Sequence, residues 1–197
     1  HPANVEDLGR YAERRFRDFH HRTGRKLVME VEPGTYLVAN AGYLVTSVMD
    51  RKRTGADGFD FVLTDGGMEV NTRPLLYGSE HPFYVTRRNG KLLSSEFSHS
   101  PDSEAHELVI VGRCCESGDS LTLDESGLIK PRRMAAPDPG DLVIVGGCGA
   151  YCSTMSPFNY NSHVQCPEVL AGEKGELRLV RTKEHIPDLW RNEIGLD

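Results

Sequence analysis

Residues 43–64 read YLVTSVMDRKRTGADGFDFVLT, two strands with a turn between them. β-Branched and aromatic residues crowd Tyr43–Arg53 and Phe59–Thr64, and Thr54-Gly55 breaks the run. The same grammar recurs downstream. His106–Cys114, Leu142–Gly146 and Leu177–Thr182 read as strands, separated by turn signals at Asp65-Gly66, Asn89-Gly90 and Asp138-Pro139-Gly140. Ser94–Ser103 reads as a polar loop. A mainly β domain is predicted, a Greek-key-like barrel or sandwich.

Upstream the texture differs. Asn4 suits an N-cap, Leu8, Tyr11, Ala12, Phe16 and Phe19 follow at helical spacing, and Gly24 stands where a C′ glycine belongs. Residues 4–23 therefore read as one amphipathic helix. KLVMEVE (26–32) then reads as a short, largely buried strand ending at Pro33-Gly34. Helix followed at once by buried strand is α/β grammar, yet one such pair leaves both its apolar faces uncovered.

The chain has 197 residues with 38% hydrophobic side chains and 20 glycines, a normal globular composition that excludes disorder as the main description. No apolar run approaches the roughly 18 residues needed to cross a bilayer, and no signal-peptide pattern is present. Net charge is −6, from 23 Lys+Arg and 29 Asp+Glu, so no global basic field draws the chain to nucleic acid. The basic stretch Arg10–Arg25 is interleaved with Glu13 and Asp18 and reads as a solvated helix face. Five cysteines, an odd number with Cys114 and Cys115 adjacent, favour a reducing, cytoplasmic compartment. The first residue is His1, which suits a processed chain, a tag remnant or a piece of a longer protein.

Four places set polar residues and glycine beside strand ends. Glu32-Pro33-Gly34-Thr35 combines a carboxylate with a turn whose free N–H groups suit a phosphate; read alone, the pattern is that of an ordinary strand-end turn. Arg73 lies four residues before Tyr77, so one helical turn would bring both to a ligand carboxylate, unless they are a surface Arg and a core Tyr. In Cys114-Cys115-Glu116-Ser117-Gly118-Asp119, a thiol beside two carboxylates has its pKa raised, which suits a proton donor better than a nucleophile. A buried structural Cys is the alternative. In Gly146-Gly147-Cys148-Gly149-Ala150-Tyr151-Cys152, the glycines permit close backbone approach and Tyr151 can lie against a flat ligand. No metal is assigned: Cys-x-x-x-Cys lacks a second pair, and the eight histidines form no HExxH element.

Taken in order, EVEPGTYLVANAG (30–42), VLTDGGMEVNTRPLLYGSEHP (62–82), VGRCCESGDSL (111–121), GDLVIVGGCGAYCSTMSPFNYNS (140–162) and PEVL (167–170) resemble the C-terminal half of the fold-type III pyridoxal-phosphate decarboxylases. The likeness is closest to the members acting on diaminopimelate. It runs from about Lys26 to Leu170. It implies the last α/β unit of a (β/α)8 barrel over residues 1–42, a C-terminal β domain over 43–182 and a tail over 183–197. It implies pyridoxal 5′-phosphate as cofactor, held by Glu32 at the ring nitrogen, by Gly34 and Thr35 near the phosphate, and by Tyr151. Arg73, Tyr77 and Tyr151 would bind the substrate. Cys115 would supply the proton that replaces CO2, and Glu116 would read the distal amino group. Both would act in the partner subunit's site of a homodimer.

Two departures stand out. Thr35 replaces the Arg usual after EPG in this family, which opens D-lysine or D-ornithine as substrates beside meso-diaminopimelate. The Schiff-base lysine belongs, in this family, to barrel sequence upstream of residue 1, and Lys26 and Lys52 have the wrong context to stand in. The resemblance thus implies the tail of a longer enzyme, joined to an N-terminal barrel as segment or separate chain. A cofactor-free relative that only binds a partner is the reading from another class. A Cys-dependent hydrolase is set aside, because no motif supplies a His to activate Cys115.

Overall fold

The computed structural model describes residues 4–96, 98–99 and 104–195. The chain divides into two compact units, residues 1–34 and 35–197.

The first unit holds helix α1 (Val5–Thr23). Asn4 Oδ1 accepts the N–H groups of Glu6 at 3.1 Å and Asp7 at 3.2 Å, satisfying donors the helix leaves open. Gly24, at φ 71°, closes the other end with its N–H on the His20 carbonyl. Both ends are as the sequence predicts. KLVMEVE is not. Residues 24–33 form no strand, and Leu27, Val28, Met29 and Val31 are exposed rather than buried. A strand exists only by pairing, and none of the described residues pairs with it.

The second unit opens with α2 (Thr35–Val38) and a 3-10 turn at Ala39–Ala41. There follow β1 (Leu44–Arg53), β2 (Asp60–Thr64), α3 (Arg73–Tyr77), β3 (Phe83–Thr86), β4 (Leu92–Ser95), β5 (Ser98–His99), β6 (Ala105–Val111), β7 (Arg132–Ala135), β8 (Leu142–Val145), β9 (Glu168–Ala171) and β10 (Leu177–Arg181). Strands β1 to β8 form one sheet in the order β5-β4-β3-β8-β1-β2-β6-β7, and β9 and β10 form a separate hairpin. The large sheet curls into a nearly closed barrel. Its outer strand β7 returns to β4, where the Ala135 N–H donates to Ser94 Oγ at 2.9 Å. Arg132 pairs with Glu96 at 2.7 Å and stacks on Phe83. The mainly β architecture is the one predicted.

Three details differ from the sequence reading. Ser94 and Ser95 are buried strand residues rather than loop, and Ser98–His99 continue the pairing; Phe97 and residues 100–103 of the expected loop lie outside the described residues. β6 stops at Val111, not Cys114, because residues 112–119 fold around a buried Asp119. β3, β4, β7 and β9 were not predicted as strands, each being only four residues long.

The core lies inside the curl: Val48, Val62, Phe83, Val85, Leu108, Ile110, Leu121, Met134, Val143 and Val145. One topological feature positions the site. β1 pairs antiparallel with both β2 and β8, and β2 pairs parallel with β6. So β2, β6 and β8 run the same way, and the loops after Thr64, Val111 and Val145 leave one end of the sheet.

At that end glycine is required by close approach. Gly149 donates to the Ala39 carbonyl at 2.9 Å and Cys148 to the Gly42 carbonyl at 2.9 Å. A Cβ on Gly149 would meet the Val38 carbonyl oxygen at 1.8 Å, and one on Gly42 would meet Gly149 Cα at 2.4 Å. Gly149→Ala is therefore expected to destabilise the fold by about 1–3 kcal/mol through forced backbone displacement. A thermal midpoint equal to wild type would refute it.

Candidate active site

The loop after β2 and the loop after β6 are stapled by one side chain. Asp119, buried, accepts the Met68 N–H on Oδ1 and the Cys114 N–H on Oδ2, both at 2.7 Å. Its carboxylate fills the space where a Cβ on Gly67 or Gly112 would stand, at 2.0 and 2.4 Å. Glu69, also buried, accepts the Gly67 N–H at 2.8 Å and pairs with Arg113 at 3.0 Å. The Cys114 thiol sits among these groups, and its pKa is pushed up to about 12 by burial, then by Glu69 and Asp119. The expected thiol beside two carboxylates is thus Cys114, with Glu69 in the place the sequence suggested for Glu116.

Helix α3 is set by its neighbours. Pro74 occupies the first turn, where no N–H is needed, and Gly78 ends the helix at φ 57°. Thr72 donates its N–H to buried Ser156 Oγ at 3.2 Å, and Ser156 donates to the Cys152 carbonyl at 2.7 Å. These bonds fasten α3 to the segment after β8. The Arg73 guanidinium consequently lies over two rings, Tyr77 at 5.2 Å and Tyr151 at 5.8 Å. Among the described residues no carboxylate pairs with it. Tyr151 holds its half-exposed ring forward from a left-handed backbone, φ 58°. Arg73, Tyr77 and Tyr151, three expected substrate residues, are brought together.

Cys115 and Glu116 form a second group. The Cys115 N–H donates to Asn161 Oδ1 at 2.6 Å, and Tyr160 Oη donates to Glu116 Oε2 at 3.0 Å. Glu116 Oε1 accepts from Ser117 Oγ at 3.1 Å and the Gly118 N–H at 3.3 Å. The Gly118 N–H, then Tyr160 and Ser117, hold the Glu116 carboxyl below the usual range. Cys115 and Glu116 are both exposed. Among the described residues no hydrogen bond or ion pair joins them to Arg73, Tyr77 or Tyr151.

Glu32 and Gly34 fall in the first unit and Thr35 opens the second. Glu32 is exposed, and its carbonyl accepts the Gly34 N–H at 2.9 Å. Among the described residues two clusters hold metal-ligand atoms within 4.8 Å of one another, His81/Cys148/Cys152 and Glu69/Cys114/Asp119. In the second, the carboxylates already serve Arg113 and backbone N–H groups. In the first, His81 Nδ1 lies 2.9 Å from the Gly146 carbonyl, and Cys148 and Cys152 donate to Val145 and Ala150. Ser156, Tyr160 and Asn161 carried no assigned role in the sequence reading. The only signal for the last two was their place in the FNYN stretch.

The family described as pyridoxal-dependent decarboxylase, C-terminal sheet domain, matches residues 35–149. The chain is 37% identical over 171 residues to diaminopimelate decarboxylase of Escherichia coli K12, covering 87% of this chain and 38% of that protein. Against the Streptomyces coelicolor diaminopimelate decarboxylase it is again 37% identical, covering 36% of the relative. A crystal structure of diaminopimelate decarboxylase superposes with a TM-score of 0.74 at 34% identity, over 90% of this chain and 40% of that one. The Helicobacter pylori enzyme complexed with L-lysine gives a TM-score of 0.66 at 30% identity, over 89% and 37%. The chain spans about two fifths of the length of these relatives. Among the described residues no helix is long and apolar enough to cross a membrane.

Proposed function

The chain belongs to the pyridoxal-dependent decarboxylase family, matching its C-terminal sheet domain, and from that premise we propose that it serves a cytoplasmic decarboxylase converting meso-diaminopimelate to L-lysine and CO2. The observation that carries this is the Arg73 guanidinium, which lies over the Tyr77 and Tyr151 rings and has no ion pair among the described residues. That is the equipment for binding an amino acid's carboxylate end.

The residues offered for pyridoxal phosphate fit it by chemistry. Glu32 brings an exposed carboxylate for a protonated ring nitrogen, Thr35 a hydroxyl for the phosphate, and Tyr151 a half-exposed ring. The Gly34 N–H is committed to the Glu32 carbonyl, so Thr35 is the better phosphate donor. When bound, the group accepts the electron pair released as the carbon–carboxylate bond breaks.

The chain's own residues do the rest. Arg73 and Tyr77 fix the end of the substrate that keeps its carboxylate. The lowered pKa of Glu116 keeps it ionised at neutral pH, as recognition of a distal ammonium requires. Cys115, exposed beside it, is the candidate to deliver a proton from Sγ. In the homodimer we propose, Arg73 and Tyr77 serve one site while Cys115 and Glu116 serve the partner subunit's. We read residues 1–42 as the end of the cofactor-binding barrel.

The test is turnover by the complete protein with added pyridoxal phosphate. Release of L-lysine from meso-diaminopimelate is expected, together with a visible absorption band that borohydride removes. Thr35, which offers no charge, favours a second reading, a D-lysine or D-ornithine decarboxylase. Turnover of D-lysine with none of diaminopimelate would overturn the first in its favour.

A further inference from the structure

We propose that Tyr160 and Asn161 are positioning residues that set Glu116 and Cys115 for their work, Tyr160 aiming the carboxylate and Asn161 anchoring the thiol's backbone. The inference rests on the functional reading above and adds two residues to it.

Glu116 lies on the surface, where a free glutamate samples many rotamers. Here both oxygens are engaged, Oε2 by Tyr160 and Oε1 by Ser117 and Gly118. The Tyr160 contact spans 44 residues of sequence, so it fixes the acidic loop against the segment after β8 rather than against itself. Asn161 does the same for the preceding residue through the 2.6 Å bond to the Cys115 N–H. The segment reaches this position at a conformational cost. Asn159, Asn161 and Ser162 all have positive φ, at 63°, 49° and 61°. Non-glycine residues in the left-handed region persist where their surroundings hold them there, and asparagine tolerates it best. The strained backbone places the amide oxygen of Asn161 and the phenol of Tyr160 on two successive residues of the loop. The bond to Glu116 raises the pKa of Tyr160, so the phenol remains a donor across the working range.

A carboxylate held in one orientation discriminates a substrate ammonium by geometry as well as charge. Tyr160→Phe removes the donor and leaves the ring. In the complete protein, kcat/KM for diaminopimelate is expected to fall about tenfold. For 2-aminopimelate, which lacks the distal amino group, it should stay within about twofold, because no ammonium meets Glu116. Equal losses on both substrates, or none on either, would overturn the assignment for Tyr160.

Asn161→Gly keeps the left-handed backbone accessible but removes the acceptor. It should lower kcat about tenfold and change the iodoacetamide alkylation rate of Cys115, mapped by mass spectrometry, several-fold. Asn161→Asp, which retains an acceptor oxygen, should lose less. Wild-type kcat and alkylation rate in Asn161→Gly would overturn the assignment for Asn161. If the wild-type protein does not decarboxylate diaminopimelate, the functional reading fails, and the alkylation rates still decide whether Asn161 anchors the thiol.

Discussion

Arg73→Lys in the complete protein is expected to lower kcat/KM for diaminopimelate by about 10²–10³-fold while leaving the visible spectrum of bound cofactor unchanged. The guanidinium is planar and lies over two rings, at 5.2 and 5.8 Å, and it offers parallel N–H groups for both oxygens of a carboxylate. An ammonium keeps the charge and loses both the flat face and the fork. Hydrogen bonds to charged groups are worth about 1.5–3 kcal/mol each, and losing most of two such bonds corresponds to two or three powers of ten. Most of the loss should appear in KM, because the carboxylate Arg73 holds is not the one that leaves. Arg73 is only partly buried and has no ion pair among the described residues, so the thermal midpoint should barely move. Activity within threefold of wild type would remove Arg73 from the site and leave the functional reading without its main support.

How far the site was legible in advance depended on whether a residue's partner was local. Asn4 and Gly24 could be read because a cap acts on N–H or carbonyl groups within one turn. Arg73 and Tyr77 could be paired because α3 is a single turn. KLVMEVE was misread because its composition suits a strand while pairing comes from elsewhere. β7 went unread because four residues carry too little pattern, and the charge of its Arg132 is spent on Glu96 and the face of Phe83. Asp119 could be read as a carboxylate beside a thiol but not as the acceptor that staples two loops, because one of its partners, the Met68 N–H, is 51 residues away. The same holds for Tyr160 and Asn161, whose contacts at Glu116 and Cys115 depend on three parallel-running strands ending together.

The stability of that meeting point rests on Asp119, and its removal is the change expected to damage the fold most. Asp119→Ala strips the acceptor from two N–H groups, Met68 and Cys114, and leaves a space against Gly67 and Gly112 that no neighbouring side chain fills. Each buried donor left unpaired costs about 1–3 kcal/mol, so a loss of about 2–5 kcal/mol is expected, a large share of a typical domain's 5–15. Asp119→Asn should be milder, since its amide oxygen can still take one N–H while its NH2 faces the other. The pH dependence separates the two effects. Burial raises the Asp119 pKa, helped by Glu69 and opposed by the bonds from Met68 and Cys114. The folded state therefore holds the proton more tightly than the unfolded chain. The resulting stability is fully present below the ordinary aspartate range and is lost as pH rises through the raised value. Urea unfolding from pH 3 upward should show the gap between wild type and Asp119→Asn narrowing over that window. A gap that widens would mean that the two backbone bonds outweigh desolvation and that the carboxylate is held as an anion. Asp119→Ala unfolding at the wild-type midpoint would show that the two loops are held at the sheet's end by something other than this side chain.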